Sequence, residues 1–86
     1  MENISALRNA AVLLEPCLRI GKNGVTGGII AEVSVLLKKR QMIKIKILKG
    51  ALEQQSKEEI IARLVKESGA VLVNSVGLTF TLYKSP

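Results

Sequence analysis

The sequence predicts an α/β fold: a two-layer sandwich on a four-stranded mixed sheet, with elements in the order α-β-α-β-α-β-β. Three observations carry this. Apolar residues recur every three to four positions in three segments and alternate with polar ones in the segments between them. Glycine and proline fall mainly at the joins. A strand–helix–strand succession requires a right-handed parallel crossover, whereas two final strands joined by a tight turn must pair antiparallel.

Ile4, Leu7, Ala11 and Leu14 form one stripe and predict a first helix, which either Asn3 or Ser5 could cap. Pro16 is expected to end it, because the residue before a proline is pushed out of the helical region. Residues 17–20 read as a short strand, with Leu18 and Ile20 on one face and Arg19 on the other. Gly21 and Gly24 bracket a turn, after which the Thr26 hydroxyl can cap a second helix. That helix carries Ile29, Ile30, Val33, Leu36 and Leu37 on one stripe and closes on Lys38, Lys39 and Arg40. Each cation there favours the negative end of the helix dipole by roughly 0.3–1 kcal/mol.

Residues 42–48 are the clearest strand. Ile43, Ile45 and Ile47 alternate with Lys44 and Lys46, which predicts one buried face and one lysine-bearing open face. Residues 50–55 read as a loop. Ser56-Lys57-Glu58-Glu59 has the capping-box pattern, and the helix it starts buries Ile60, Ile61, Leu64 and Val65 before stopping at Gly69, a left-handed cap. Residues 71–76 and 78–83 are two strands joined at Gly77, the second alternating Leu78, Phe80 and Leu82 with Thr79, Thr81 and Tyr83. With no internal repeat and no linker, all 86 residues are expected to form one domain.

Composition narrows the function. With 48% apolar and 23% charged residues, the chain has the balance of a folded protein. Phe80 and Tyr83 are the only aromatics, too few for a base-stacking platform, although Tyr83 could stack one base. A single cysteine, Cys17, and no histidine exclude an internal disulfide and argue against zinc or haem, so no metal or cofactor is expected. The start of the sequence lacks the pattern of a signal peptide, and no apolar run approaches the ~20 residues needed to cross a membrane. A soluble, cytoplasmic monomer is the expectation. An enzyme is not expected: Cys17 has no base near it in sequence, and Glu58 and Glu59 are accounted for by the helix start.

The net charge of +6 is unevenly placed. Residues 16–50 hold Arg19, Lys22, Lys38, Lys39, Arg40, Lys44, Lys46 and Lys49 against Glu32 alone, a net of +7, and the rest of the chain is close to neutral. Charge segregated in this way points to a polyanionic partner. Within that stretch, Gly21-Lys22-Asn23-Gly24 joins a strand to a helix. Glycines let backbone N–H groups approach a phosphate, the helix N-terminus adds attraction, and Lys22 puts a full charge at the tip. A G-x-x-G turn of this kind clamps the sugar-phosphate backbone in KH-type RNA binders. The G-x-G-x-x-G pattern of dinucleotide sites is not present at this turn.

Leu18-Arg19-Ile20-Gly21-Lys22-Asn23-Gly24-Val25-Thr26 resembles the start of the CRM domain (chloroplast RNA splicing and ribosome maturation), which includes the small bacterial YhbY-like proteins. Met42-Ile43-Lys44-Ile45-Lys46-Ile47 is similar to the family's I-K-V-K strand, and Glu67-Ser68-Gly69-Ala70 to the end of its third helix. Val76-Gly77 with Leu82-Tyr83-Lys84 is similar to its closing hairpin, so the resemblance runs from about Leu7 to Lys84. It implies a fold similar to the C-terminal domain of bacterial translation initiation factor three. It also implies RNA binding through the loop, in large-subunit ribosome maturation or group II intron splicing. The contact carries over to Gly21, Lys22, Asn23 and Gly24, with Thr26 opening the next helix. Gly27 stands where the family often has a polar residue, which is expected to loosen that helix's first turn, and Lys84 replaces the usual arginine.

The leading expectation is therefore a protein that binds RNA, ribosomal in particular, through the loop. Arg19, Lys38, Lys39, Arg40, Lys44, Lys46, Tyr83 and Lys84 would extend the contact. Two alternatives stand beside it: a general nucleic-acid or chromatin-type binder, and a protein-interaction module that docks onto the ribosome.

Overall fold

The isoleucine–lysine alternation sets the middle of the sheet. Ile43, Ile45 and Ile47 are all buried, while Lys46 between them is exposed. The computed structural model describes residues 4–85. Its elements are α1 (Ile4–Val12), β1 (Pro16–Ile20), α2 (Gly27–Arg40), β2 (Met42–Ile47), a short 3-10 helix (Lys49–Glu53), α3 (Lys57–Ser68), β3 (Val71–Val76) and β4 (Thr79–Tyr83). The sheet order is β1-β2-β4-β3, with β1 parallel to β2 and the other pairs antiparallel. The predicted mixed α/β architecture is the one observed.

Register places Ile43 opposite Leu82 and Ile45 opposite Phe80. These side chains, with Leu18 and Ile20 of β1, meet Val33 and Leu37 of α2 and Ile60, Ile61 and Leu64 of α3 in one core. The helix signals act as read. Thr26 Oγ1 accepts from the Ile29 N–H at 3.2 Å. Ser56 and Glu59 form both halves of their capping box, and Gly69 caps α3 at φ +74°.

Several details differ from expectation. Asn3 lies outside the described residues. The first helix stops at Val12, ahead of Pro16, because the Leu13 and Leu14 N–H groups donate three residues back, to Ala10 and Ala11, and tighten its end. Pro16 instead opens β1, an edge strand, where a missing N–H is tolerated. The stretch read as a loop begins with a 3-10 turn, which buries Ala51. Leu78 belongs to the hairpin turn rather than to β4.

The second face of the sheet is partly covered. Thr81 alternates with Phe80 and Leu82 and so points away from the main core, yet it is fully buried. It is covered by α1, which packs against β2 and β3 and whose Arg8 Nε donates to the Val73 carbonyl at 3.3 Å. Lys44, paired with Thr81, is consequently half-buried rather than open, which corrects the reading of that face as uniformly exposed.

Two positions are predicted to be suboptimal for stability. Gln41 caps α2 at φ +66°, a conformation unfavourable for a residue with a Cβ. Gln41→Gly should raise stability by roughly 0.5–1 kcal/mol, or about 3–6 °C in Tm. Thr81 Oγ1 is buried with no hydrogen-bond partner among the described residues. Thr81→Val should remove that desolvation cost and gain about 1 kcal/mol in denaturant unfolding.

Candidate nucleic-acid interface

The loop between β1 and α2 is anchored at both ends in the core, by Ile20 and by Val25. Between them the Gly24 N–H donates to the Gly21 carbonyl at 2.9 Å and closes the turn. Gly24 has φ +67°, a left-handed conformation that strains any residue with a Cβ, whereas the Gln55 Oε1 atom 2.7 Å from such a Cβ ends a flexible side chain that can swing aside. At Gly21 a Cβ would meet only Leu48 Cδ1, at 3.8 Å, so the fold does not require glycine there. Its bareness instead leaves the backbone open to approach.

Lys22 and Asn23 are the exposed tips, and the loop floors a recess of about 260 Å³ lined by Gly21, Lys22, Asn23, Gly24, Thr26 and Ile29. The N-terminal, positive end of α2 begins at that recess. Gly27 does not prevent the Thr26 cap from forming. Two contacts from far along the chain brace the loop. Arg63 Nη1 donates to the Val25 carbonyl at 3.1 Å. The backbone at Gly50 lies against Lys22, whose N, Cα and Cβ would each be 3.7 Å from a Cβ on Gly50.

Register shows which cations join this loop. Arg19 is opposite Lys46, and Lys46 is opposite Thr79, so Arg19 and Lys46 stand side by side on the exposed end of the second face. Leu48 N–H donates to the Ile20 carbonyl at 2.9 Å, which brings exposed Lys49 to the same end. The loop thus carries Lys22 at its tip and has Arg19, Lys46 and Lys49 around it. The other predicted residues lie elsewhere. Lys38, Lys39 and Arg40 are at the far end of the 14-residue α2, about 20 Å away at 1.5 Å per residue.

Tyr83 and Lys84 are at that far end too. Tyr83 is half-buried and paired with Met42 and Val71. Lys84 Nζ donates to the Ser68 carbonyl at 2.9 Å and closes off the end of α3. Lys44 lies between the two groups. None of the side chains of Arg19, Lys22, Lys38, Lys39, Arg40, Lys44, Lys46 and Lys49 makes a hydrogen bond or ion pair with another described residue. Lys49, Gly50 and Arg63 were not foreseen as part of the site. No local spacing signals them, since Gly50 and Arg63 reach the loop through long-range contacts and Lys49 is placed beside it by the Leu48–Ile20 bond. Among the described residues no group of His, Cys, Asp and Glu could hold a metal, and no helix is long and apolar enough to cross a membrane.

Comparison with known proteins agrees with this architecture. The family model of the CRS1 / YhbY (CRM) domain matches residues 1–84. The chain is 35% identical to the probable RNA-binding protein YqeI of Bacillus subtilis over 78 residues, which cover 91% of this chain and 79% of that one. It is 32% identical to an RNA-binding protein of Haemophilus influenzae, covering 91% and 77%. It is 41% identical to a probable RNA-binding protein of Methanocaldococcus jannaschii, of which it spans only 58%. The solution structure of a hypothetical protein from Staphylococcus aureus superposes with a TM-score of 0.79 at 25% identity, covering 96% of this chain and 84% of that one.

The two loop glycines should respond differently to substitution. Gly24→Ala should cost roughly 1–2 kcal/mol and lower Tm by about 5–10 °C, whereas Gly21→Ala should move it by less than about 2 °C. Thermal unfolding followed by circular dichroism measures both.

Proposed function

This chain belongs to the CRS1 / YhbY (CRM) domain family, and we propose that it is an RNA-binding protein whose primary contact is the loop of Gly21, Lys22, Asn23 and Gly24. One observation carries the reading. The loop recess, the N-terminus of α2 and four cations with no side-chain partner among the described residues converge at one end of the sheet. A phosphate in the recess would meet backbone N–H groups and the Lys22 ammonium, while Arg19, Lys46 and Lys49 attract the neighbouring phosphates. The names of the relatives support RNA as the polyanion, and the same names favour a binding protein over an enzyme.

The scarcity of aromatic side chains makes the recognition electrostatic and shape-based, without a stacking platform. Ribosomal RNA is the RNA we propose, with assistance to large-subunit maturation as the role, as the family resemblance implies. A general nucleic-acid binder would accept duplex DNA equally.

Binding that depends on phosphate contacts loses affinity with salt, by a slope of about −0.7 to −0.9 in log K per contact. The double variant Lys22→Asp, Asn23→Asp should bind a large-subunit RNA fragment at least about tenfold more weakly at 0.15 M salt, with a shallower slope. Its Tm should stay within about 2 °C of wild type, since both side chains are solvent-exposed. Titrations at several salt concentrations provide the measurement. Unchanged affinity in the folded variant would remove the loop as the contact, and equal competition by duplex DNA would overturn the preference for RNA.

A further inference from the structure

The cations at the far end of α2 are more than helix caps. The dipole of α2 accounts for positive charge at Lys38, Lys39 and Arg40. It does not account for Lys84, which arrives from β4 at the same place. Lys84 and Ser85 join Leu37, Lys38 and Gln41 around a second recess of about 260 Å³. Its rim is fixed from two sides. The Lys84 N–H donates to the Gln41 carbonyl at 2.8 Å, and Lys84 Nζ is held by the Ser68 carbonyl, with two of its three donors taking no partner among the described residues. Gln41 has an exposed side chain on the same rim. Along α2 between the two recesses the exposed residues include Ala31, Glu32 and Val35, and none is basic. A polyanion is therefore not drawn along the helix as a continuous track. It is attracted at the two ends, about 20 Å apart over 14 residues.

We propose that the recess of Lys38, Gln41 and Lys84, flanked by Lys39 and Arg40, is a second site for the RNA backbone. The chain is then a two-point clamp. The inference rests on the reading that the loop binds RNA, and it adds a substrate class: folded RNA that presents two backbone segments at this spacing. A short single strand reaches one site only. Folded RNA reaches both, and the second contact becomes intramolecular.

The test uses two RNAs: a 16-base-pair hairpin, long enough to span both ends, and tetrauridine, too short to do so. The triple variant Lys38→Gln, Lys39→Gln, Arg40→Gln should bind the hairpin about 25-fold more weakly at 0.15 M salt. That loss corresponds to two phosphate contacts at about fivefold each, with a salt slope shallower by about two. Its affinity for tetrauridine, read by chemical-shift titration, should change less than twofold. Should the triple variant not fold, Lys38→Gln with Lys39→Gln keeps Arg40 at the helix end and should show the same selectivity. Removing equal charge from α3, with Lys57→Gln and Lys66→Gln, should affect the hairpin far less than this double variant. The second site is overturned if hairpin affinity is unchanged, if both RNAs are lost equally, or if the α3 variant loses as much. The loop reading fails separately, if Lys22→Asp with Asn23→Asp leaves tetrauridine and hairpin binding intact.

Discussion

The parallel pairing of β1 with β2 is the constraint from which the candidate site follows. Strands that run parallel cannot be joined by a tight turn, so α2 must carry the chain back across the sheet before β2 begins. Two consequences come with that crossover. The turns that leave β1 and β2 lie side by side, which sets Gly50 against Lys22 and brings Lys49 beside the loop. The N-terminus of α2 is also fixed at the loop, with its positive end toward solvent, while its C-terminal cations are carried to the opposite edge.

What holds the pairing is ordinary aliphatic packing. Leu18 and Ile20 stand beside Ile45 and Ile47 in register and are covered by α2 and α3. Burial of each such side chain contributes about 1.5–3 kcal/mol, at least as much as a typical neutral hydrogen bond. The loop itself makes few stabilising contacts. It is held between two core anchors, Ile20 and Val25, with Arg63 bonded to the Val25 carbonyl. A rigid frame and an exposed tip suit a contact that must leave its polar groups free for a ligand.

Much of this was legible in the sequence where the signal is local. The buried isoleucines of β2, the Thr26 cap, the Ser56–Glu59 capping box and the left-handed Gly69 each depend on neighbours within a few residues, and each is found as read. The early end of α1 and the 3-10 turn at Lys49 were missed because they turn on single hydrogen bonds and the burial of one alanine. The half-burial of Lys44 is not legible because strand alternation does not reveal that a helix from the other end of the chain will cover that face and bury Thr81 beside it. The basic stretch read as one patch divides into two groups. Helix length sets their separation, and nothing in the charge count expresses it.

RNA gripped at the end of the sheet where the β1 and β2 turns meet would perturb the backbone there first. The most direct measurement is amide chemical-shift mapping of the labelled chain titrated with a large-subunit RNA hairpin at moderate salt. The largest changes are expected at residues 19–26 and 46–50, where the loop, the start of α2 and the adjoining turn lie together. Changes centred on the outer face of α3 and the β3 edge, with the Gly21–Gly24 loop unmoved, would contradict it.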